Sequence, residues 1–368
     1  MTRKFRDRLG PFKVIEVYEP NLGLDGVLVV DNVAAGPAIG GLRMAPGVTV
    51  EECFRLARAM TLKNAAAGLP HGGGKSILRA DPRMKPARKE ALIRAFACAL
   101  RDTNEYIFGP DMGTDEHCMG WVHDEIGRAI GLPAALGGIP LDELGATAFG
   151  LTHAVEVAAK NIDLPLDGAR VVVQGFGAVG RHAASFLAEH GARLVAAADS
   201  RGAVVNPDGL DVSGLTEWKA AGETLTSFAG GQPLDLELLV EVDCEIWIPA
   251  ARPDVIDEQN CDRLRARLVA EGANIPVTTA AERRLHERGV VCLPDFIVNA
   301  GGVICGALEY RGAGQAAAFA AIEERVRANT AEVLQRSRND GVTPRQAATA
   351  FAEQRVREAM ATRRWSLF

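Results

Sequence analysis

No stretch of this 368-residue chain stays apolar long enough to cross a bilayer, so a membrane-spanning helix is not expected. The positively charged start, Met1-Thr-Arg-Lys-Phe-Arg-Asp-Arg-Leu9, has no apolar segment behind it and does not read as a secretory leader. The seven cysteines (Cys53, Cys98, Cys118, Cys244, Cys261, Cys292, Cys305) contain no C-x-x-C spacing and are odd in number. That argues against a disulfide framework and points to a reducing cytoplasm. Basic charge is also lacking: the net charge of -6 gives no general pull toward nucleic acid. Low-complexity tracts and solenoid-period repeats are missing. His117 and His123 flank Cys118, but six residues apart on a helix they share no face, so a metal site is not expected there.

What remains has the composition of a globular protein, 48% hydrophobic and 24% charged, and is long enough for two domains. Lys13–Tyr18 and Val27–Val30 are rich in β-branched residues, are separated by turn chemistry and read as paired strands. Thr49-Val-Glu-Glu52 forms a capping box that opens a helix to about Ala67. A second helix is predicted from Pro86 to Asp102, and a third after Thr114, led by Asp115 and Glu116 and stopping at Gly131. From about Leu141 the pattern turns to helices alternating with the short apolar strands Val171–Gln174, Leu194–Ala198, Glu245–Ile248, Leu268–Ala270 and Val290–Leu293. Such alternation implies parallel β-α-β units. Two helices close the chain, the later one capped by Thr343-Pro-Arg-Gln346.

Two segments carry chemistry. In the first, Met60-Thr-Leu-Lys63 precedes Gly72-Gly-Gly-Lys75, so two lysines stand twelve positions apart and the second follows what reads as a triple-glycine turn. An ammonium near a second ammonium and shielded from water should have a lowered pKa, in the range useful for proton transfer. In the second, Gly175-Phe176-Gly177-Ala178-Val179-Gly180 follows a strand and opens a helix, the setting of a dinucleotide fingerprint. Asp199 ends the next strand and suits the ribose hydroxyls of NAD, while nearby Arg201 leaves NADP open. Asp111 lies in a tight turn, Gly109-Pro-Asp-Met-Gly-Thr114. Asn274 and Asn299 follow late strands, on the edge where ligands bind in such sheets; either could orient a carboxamide or cap a helix.

Gly40-Gly-Leu-Arg43, Met60-Thr-Leu-Lys63, Gly72-Gly-Gly-Lys75, Gly109-Pro-Asp111-Met-Gly-Thr114, Glu271-Gly-Ala-Asn274 and Pro294-Asp-Phe-Ile-Val-Asn-Ala-Gly-Gly-Val303 occur in the order found in the glutamate/leucine/phenylalanine/valine dehydrogenase superfamily. The chain resembles that family over nearly its whole length. The resemblance implies an α/β fold with a substrate and oligomerisation domain (1–140), a Rossmann-type NAD-binding domain (141–330), and C-terminal helices (331–368) that return to the first domain. Substrate would lie in the cleft between the two. Lys63 would bind the substrate α-carboxylate, Lys75 would be the catalytic lysine, and Asp111 would assist proton transfer. Ile39, Gly40, Gly41, Met60, Gly109, Thr147, Val303 and Gly306 would line the substrate, and Ser200 and Ala250 would join the fingerprint, Asp199, Asn274 and Asn299 around the cofactor.

The implied reaction is reversible oxidative deamination of an L-amino acid to its 2-oxo acid and ammonia, with NAD or NADP, in a cytoplasmic homo-oligomer. Family members that act on glutamate carry a lysine where this chain has Ile39 and a serine where it has Gly306. Without that cation a dry pocket would hold a γ-carboxylate at a cost of several kcal/mol. An apolar, leucine- or phenylalanine-type substrate is therefore expected, with Gly109 and Gly306 leaving room for a long or aromatic side chain. Glu271-Gly-Ala-Asn-Ile-Pro and the segment Asp199–Gly209 look more like the glutamate branch. Glutamate recognised in an atypical way, and a catalytically silent NAD-binding paralogue, are the alternatives.

Overall fold

The computed structural model describes residues 2–362 and divides the chain into two compact units. The first runs to Leu141 and takes in Val303–Ala318 and the chain from Ala350 on; the second comprises Asp142–Gly302 and Phe319–Thr349. After residue 302 the chain thus changes unit three times, where the sequence pattern suggested one boundary at 330. Each change falls inside a continuous helix, which leaves no linker signal to read.

In the first unit β1 (Lys13–Glu19) and β2 (Leu24–Asn32) pair antiparallel, followed by β3 (Ala38–Met44), α1 (Val50–Ala66), β4 (Gly72–Leu78), α2 (Pro86–Ala99), β5 (Tyr106–Pro110) and α3 (Glu116–Ile126). The sheet order is β1-β2-β4-β3-β5, with β3 parallel to both β4 and β5. Thr49 caps α1 by accepting from the Glu52 backbone N–H at 3.1 Å, but the Glu52 carboxylate turns to Arg43 instead of closing the box. Asp115 caps α3. That helix ends at Gly127, not Gly131, because Gly127 already supplies the left-handed C-cap with φ 69°.

The triple glycine is not a turn. Gly72, Gly73 and Gly74 begin β4, a strand buried along its whole length, and none of them has a positive φ. Their lack of side chains serves close approach. A Cβ on Gly73 would stand 2.5 Å from the Met60 carbonyl carbon and closer still to the Thr61 backbone, so α1 rests directly on the strand. A Cβ on Gly74 would meet the Tyr106 ring at 2.9 Å on the opposite face. The α1 face is completed by Val27, Val29, Phe54, Ala57 and Ile77, and the other by Leu28, Val30, Leu42, Phe96, Tyr106 and Phe108. Each of these large side chains contributes roughly 1.5–3 kcal/mol by leaving water.

The second unit carries α4 (Ala146–Asn161), β6 (Arg170–Gln174), α5 (Ala178–Glu189), β7 (Arg193–Asp199), β8 (Gly202–Val205), α6 (Val212–Ala220), β9 (Gln232–Leu234), β10 (Ile246–Pro249), β11 (Leu268–Ala270), α7 (Thr279–Glu287), β12 (Val291–Leu293) and α8 (Asp295–Val298). Three helices follow, α9 (Gly301–Glu309), α10 (Gln315–Asp340) and α11 (Pro344–Thr362), and each spans one of the changes of unit. The sheet order is β12-β11-β10-β6-β7-β8-β9. Its first part is parallel, as the alternating pattern predicts. The last two strands run antiparallel, because β7 turns straight into β8 at Asp199↔Gly202 and a tight turn leaves no length for a crossover. At α11 the box closes: Gln346 accepts from the Thr343 N–H at 3.0 Å, and the Thr343 hydroxyl accepts from the Gln346 N–H at 3.3 Å. Among the described residues no helix is long and apolar enough to cross a membrane.

Gly73→Ala should destabilise the first unit by about 3 kcal/mol or more, since the obstructing atoms are backbone and cannot rotate away. Gly127→Ala, with nothing near its Cβ, should cost only the left-handed backbone strain, about 1–2 kcal/mol. Denaturant unfolding of both variants checks the order, and a Gly73→Ala protein as stable as Gly127→Ala would contradict it.

Candidate active site

In the first unit the register of β4, β3 and β5 brings Lys75, Gly41 and Gly109 side by side on the face that α1 covers. Lys75 is 6% exposed, and its Nζ pairs with Asp111 Oδ2. Arg43 braces the same carboxylate through Nε at 3.2 Å and reaches Glu52 through Nη1 at 2.5 Å. Burial on its own would raise the Asp111 carboxyl, but the Lys75 ammonium and the Arg43 guanidinium outweigh it and hold the group down to about 2. Thr114 fixes the turn by accepting from the Asp111 N–H at 3.0 Å and donating to the Leu42 carbonyl at 2.8 Å. Gly41 forms the floor: a Cβ there would lie 3.1 Å from Lys75 Nζ and 2.8 Å from Asp111 Cβ. Gly40 faces the other way, against the β4 backbone, and acts through close packing. On α1, Met60, Lys63 and Asn64 share one side at helical spacing, and Asn64 donates to the Gly72 carbonyl at 2.6 Å. The structure thus unites Lys75 with Asp111. Arg43, which the sequence showed as part of a motif without a role, is the third member.

Beside this floor stand buried apolar side chains. Ile39 and Ile107 are register partners, both buried. The space expected at Gly109 and Gly306 is not open. Ile130 fills it, with its side chain 3.3 Å from a Cβ on Gly109 and 2.6 Å from one on Gly306. Ile130 is held by its N–H to the Phe108 carbonyl at 2.8 Å, and the next two residues by Glu309, whose carboxylate accepts from Gly131 N at 2.8 Å and Leu132 N at 3.1 Å. Neither Ile130 nor Glu309 lies in a motif, so sequence offered no signal for them. Val303 is half-buried in the same unit.

In the second unit each fingerprint glycine has a distinct duty. Gly175 turns at φ 101°, and a Cβ there would meet Ala250 and Ala251; Gly177 has no atom within 4 Å of its Cβ position; Gly180 packs against Val173 and the Gly175 carbonyl. The open space at Gly177, with no side chain capping α5, is the arrangement that suits an anion such as a pyrophosphate at a helix N-terminus. Ala178 and Val179 form the first turn of α5, whereas Phe176 is buried in the core. Asp199 closes β7, with Ser200 exposed beside it. Burial opposes ionisation of Asp199, but a 2.7 Å bond from Lys219 and the Arg201 N–H hold the carboxyl below its ordinary value. The Arg201 guanidinium is engaged with the Gly222 and Glu223 carbonyls, at 2.9 and 2.5 Å, so the ammonium beside Asp199 is that of Lys219. An adjacent carboxylate and ammonium suit either a ribose diol or a 2'-phosphate. At the other end of the strand edge, Asn299 Nδ2 donates to Asn274 Oδ1 at 3.3 Å, and its own buried Oδ1 has no partner in the chain, an acceptor fit for a carboxamide N–H. Thr147 lies against Gly302.

A family model described as Glutamate/Leucine/Phenylalanine/Valine dehydrogenase matches residues 137–364, and one described as Glu/Leu/Phe/Val dehydrogenase, dimerisation domain, matches residues 13–128. The chain is 37% identical over 357 residues to a glutamate dehydrogenase of Aeropyrum pernix, covering 91% of this chain and 85% of that relative. Among solved structures, the Leu-bound hetero-hexameric glutamate dehydrogenase of Thermus thermophilus superposes with a TM-score of 0.87 at 31% identity, covering 97% of this chain and 91% of that one. The L-tryptophan dehydrogenase of Nostoc punctiforme shares the fold, with a TM-score of 0.74 at 24% identity over 98% of each chain.

A carboxyl held down to about 2, against an ordinary value near 3.8, contributes stability that is complete above pH 4 and is lost as pH falls toward 2. The stability difference between the wild type and Asp111→Asn should therefore be constant from pH 5 upward and shrink below pH 4. Urea unfolding at stepped pH measures it, and an equal difference at pH 3 and pH 7 would exclude this account of Asp111.

Proposed function

Since this chain belongs to the glutamate/leucine/phenylalanine/valine dehydrogenase family, and so oxidises the CH–NH2 group of an amino acid with NAD or NADP, we propose that its substrate carries an aliphatic side chain of leucine or valine size. The observation that carries this reading is the set of buried isoleucines Ile39, Ile107 and Ile130 on the strands and loop beside the Gly41 floor. A γ-carboxylate placed there would lose its water with no cation from these residues to replace it. Ile130 also takes up the volume an aromatic ring would need, which narrows the choice within apolar substrates. Glutamate is the competing substrate, favoured by the glutamate dehydrogenase names of similar proteins.

In the proposed mechanism Lys63 holds the α-carboxylate and the isoleucines hold the side chain, which fixes Cα above Gly41. The bound nicotinamide supplies the hydride acceptor for Cα–H. Asp111 takes a proton from the substrate amino group as the imine forms. Lys75, having passed its ammonium proton to solvent as substrate binds, then removes a proton from the water that adds to the imine carbon and hands it on to solvent. Asp111 returns its proton to the nitrogen and the carbinolamine hydroxyl gives its proton to Lys75 as the C–N bond breaks, releasing ammonia and the 2-oxo acid. Arg43 keeps Asp111 aligned between Lys75 and the amine. In the second unit the α5 N-terminus, Asp199 and Asn299 would hold the dinucleotide. We also infer assembly of several copies in the cytoplasm. The match of residues 13–128 to a dimerisation domain supports the first part, as does β1, a sheet-edge strand with Tyr18 exposed, and seven cysteine thiols support the second.

Following NADH formation with a panel of L-amino acids should show kcat/KM highest for leucine or valine; a maximum for glutamate would overturn the proposal, and silence throughout despite NADH binding would mark a catalytically silent protein. Ile130→Ala should move the preference toward phenylalanine by about tenfold or more, reading the cleared side chain as 1–3 kcal/mol of pocket selectivity. Lys75→Ala should lower kcat by about 100-fold or more while NADH binding, followed by fluorescence, is retained; near-normal turnover would remove Lys75 from the chemistry.

A further inference from the structure

Behind the Asn274–Asn299 pair lies a cluster of charges that the mechanism does not use. Glu271, which directly follows β11, is fully buried; Glu282 of α7 and Asp295 of α8 are nearly so. All three converge on one cation, Arg345 in the first turn of α11: Nη2 reaches Glu271 at 2.6 Å, Nε reaches Glu282 at 2.6 Å and Nη1 reaches Asp295 at 2.9 Å. One guanidinium cannot neutralise three carboxylates, and two surplus buried charges would cost far more than the cluster returns. Burial, with the charges of Asp295 and Glu282, pushes the Glu271 carboxyl well above its ordinary value despite Arg345.

The cluster grips the turn that follows β11. Glu271 Oε2 accepts from the Asp295 N–H at 3.3 Å, and Asp295 Oδ2 accepts from the Ile275 N–H at 2.9 Å. Ile275 sits at φ 45°, a left-handed conformation costly for a β-branched residue, so something must hold it there. Asn299 N donates to the Asp295 carbonyl at 2.8 Å, and Asn299 Nδ2 donates back to the Gly272 carbonyl at 3.3 Å. Arg345 thus clamps Glu271 at the start of the turn and Asp295 at the start of the short helix that ends in Asn299.

We propose that Arg345 is a positioning residue for the nicotinamide end of the cofactor, acting through Glu271 and Asp295 on the turn that carries Asn274 and on Asn299. The inference rests on the reading of those two asparagines as the carboxamide site, and the test separates the two claims. NADH and ADP-ribose, which lacks the nicotinamide, are titrated against the full-length enzyme. Asn299→Ala should weaken NADH at least tenfold and leave ADP-ribose unchanged; no change in NADH affinity would sink the asparagine reading. Arg345→Met should likewise weaken NADH at least tenfold, raise the KM for the cofactor in step, and spare both ADP-ribose affinity and the amino acid KM. An equal loss of NADH and ADP-ribose would assign Arg345 a purely structural role and overturn the proposal. If Arg345→Met does not fold, Arg345→Lys, which keeps the charge but cannot reach three carboxylates, should weaken NADH about threefold with ADP-ribose again unaffected; wild-type NADH affinity there would overturn it.

Discussion

The contact of α1 with the backbone of β4 is the constraint on which the first unit depends. Gly73 has no room for a single carbon between itself and residues 60 and 61. That closeness fixes the depth of the helix on the sheet, and so the level at which Met60 and Lys63 stand relative to Lys75 one strand position away. It also requires the opposite face to be filled by Tyr106 against Gly74, whose hydroxyl donates to the Gly40 carbonyl at 2.6 Å. A floor built of glycine backbone lets Lys75 and Asp111 meet, because Gly41 raises no side chain between them.

Two buried charge clusters show how different balances serve different ends. Around Asp111, two cations meet two carboxylates, and a carboxyl held far below its ordinary value stays ionised. Around Arg345, one cation meets three carboxylates, and burial together with the neighbouring charges raises the Glu271 carboxyl above its ordinary value. The first arrangement keeps its carboxylate charged. The second is sealed, and its function is to hold backbone in a strained place rather than to move protons.

The proposed choice of substrate turns on volume as well as on charge: Ile39 stands where family members that act on glutamate carry a lysine, and Ile130 fills the space beside Gly109 and Gly306. Overall similarity to glutamate dehydrogenases reflects a shared scaffold and reaction class. Selectivity among side chains needs only a few cubic ångströms in one corner, and one or two residues can alter it while the rest of the chain remains similar.

Local rules determined the helix caps at Thr49, Asp115 and Thr343, the β6–α5 fingerprint and the parallel strands of the second unit. Each depends on neighbours within a few positions, where hydrogen bonds and side-chain spacing act directly. Tertiary structure decided the rest. It made the triple glycine a strand, because the demand for close approach comes from residues 60 and 61 of α1 rather than from local angles. It placed Ile130 in the volume that two glycines seemed to leave, through contacts between residues 130, 109 and 306. It drew Arg345 to carboxylates at 271, 282 and 295, and it carried three helices across the changes of unit. No local pattern encodes such pairings, because the atoms concerned become neighbours only when the chain has folded.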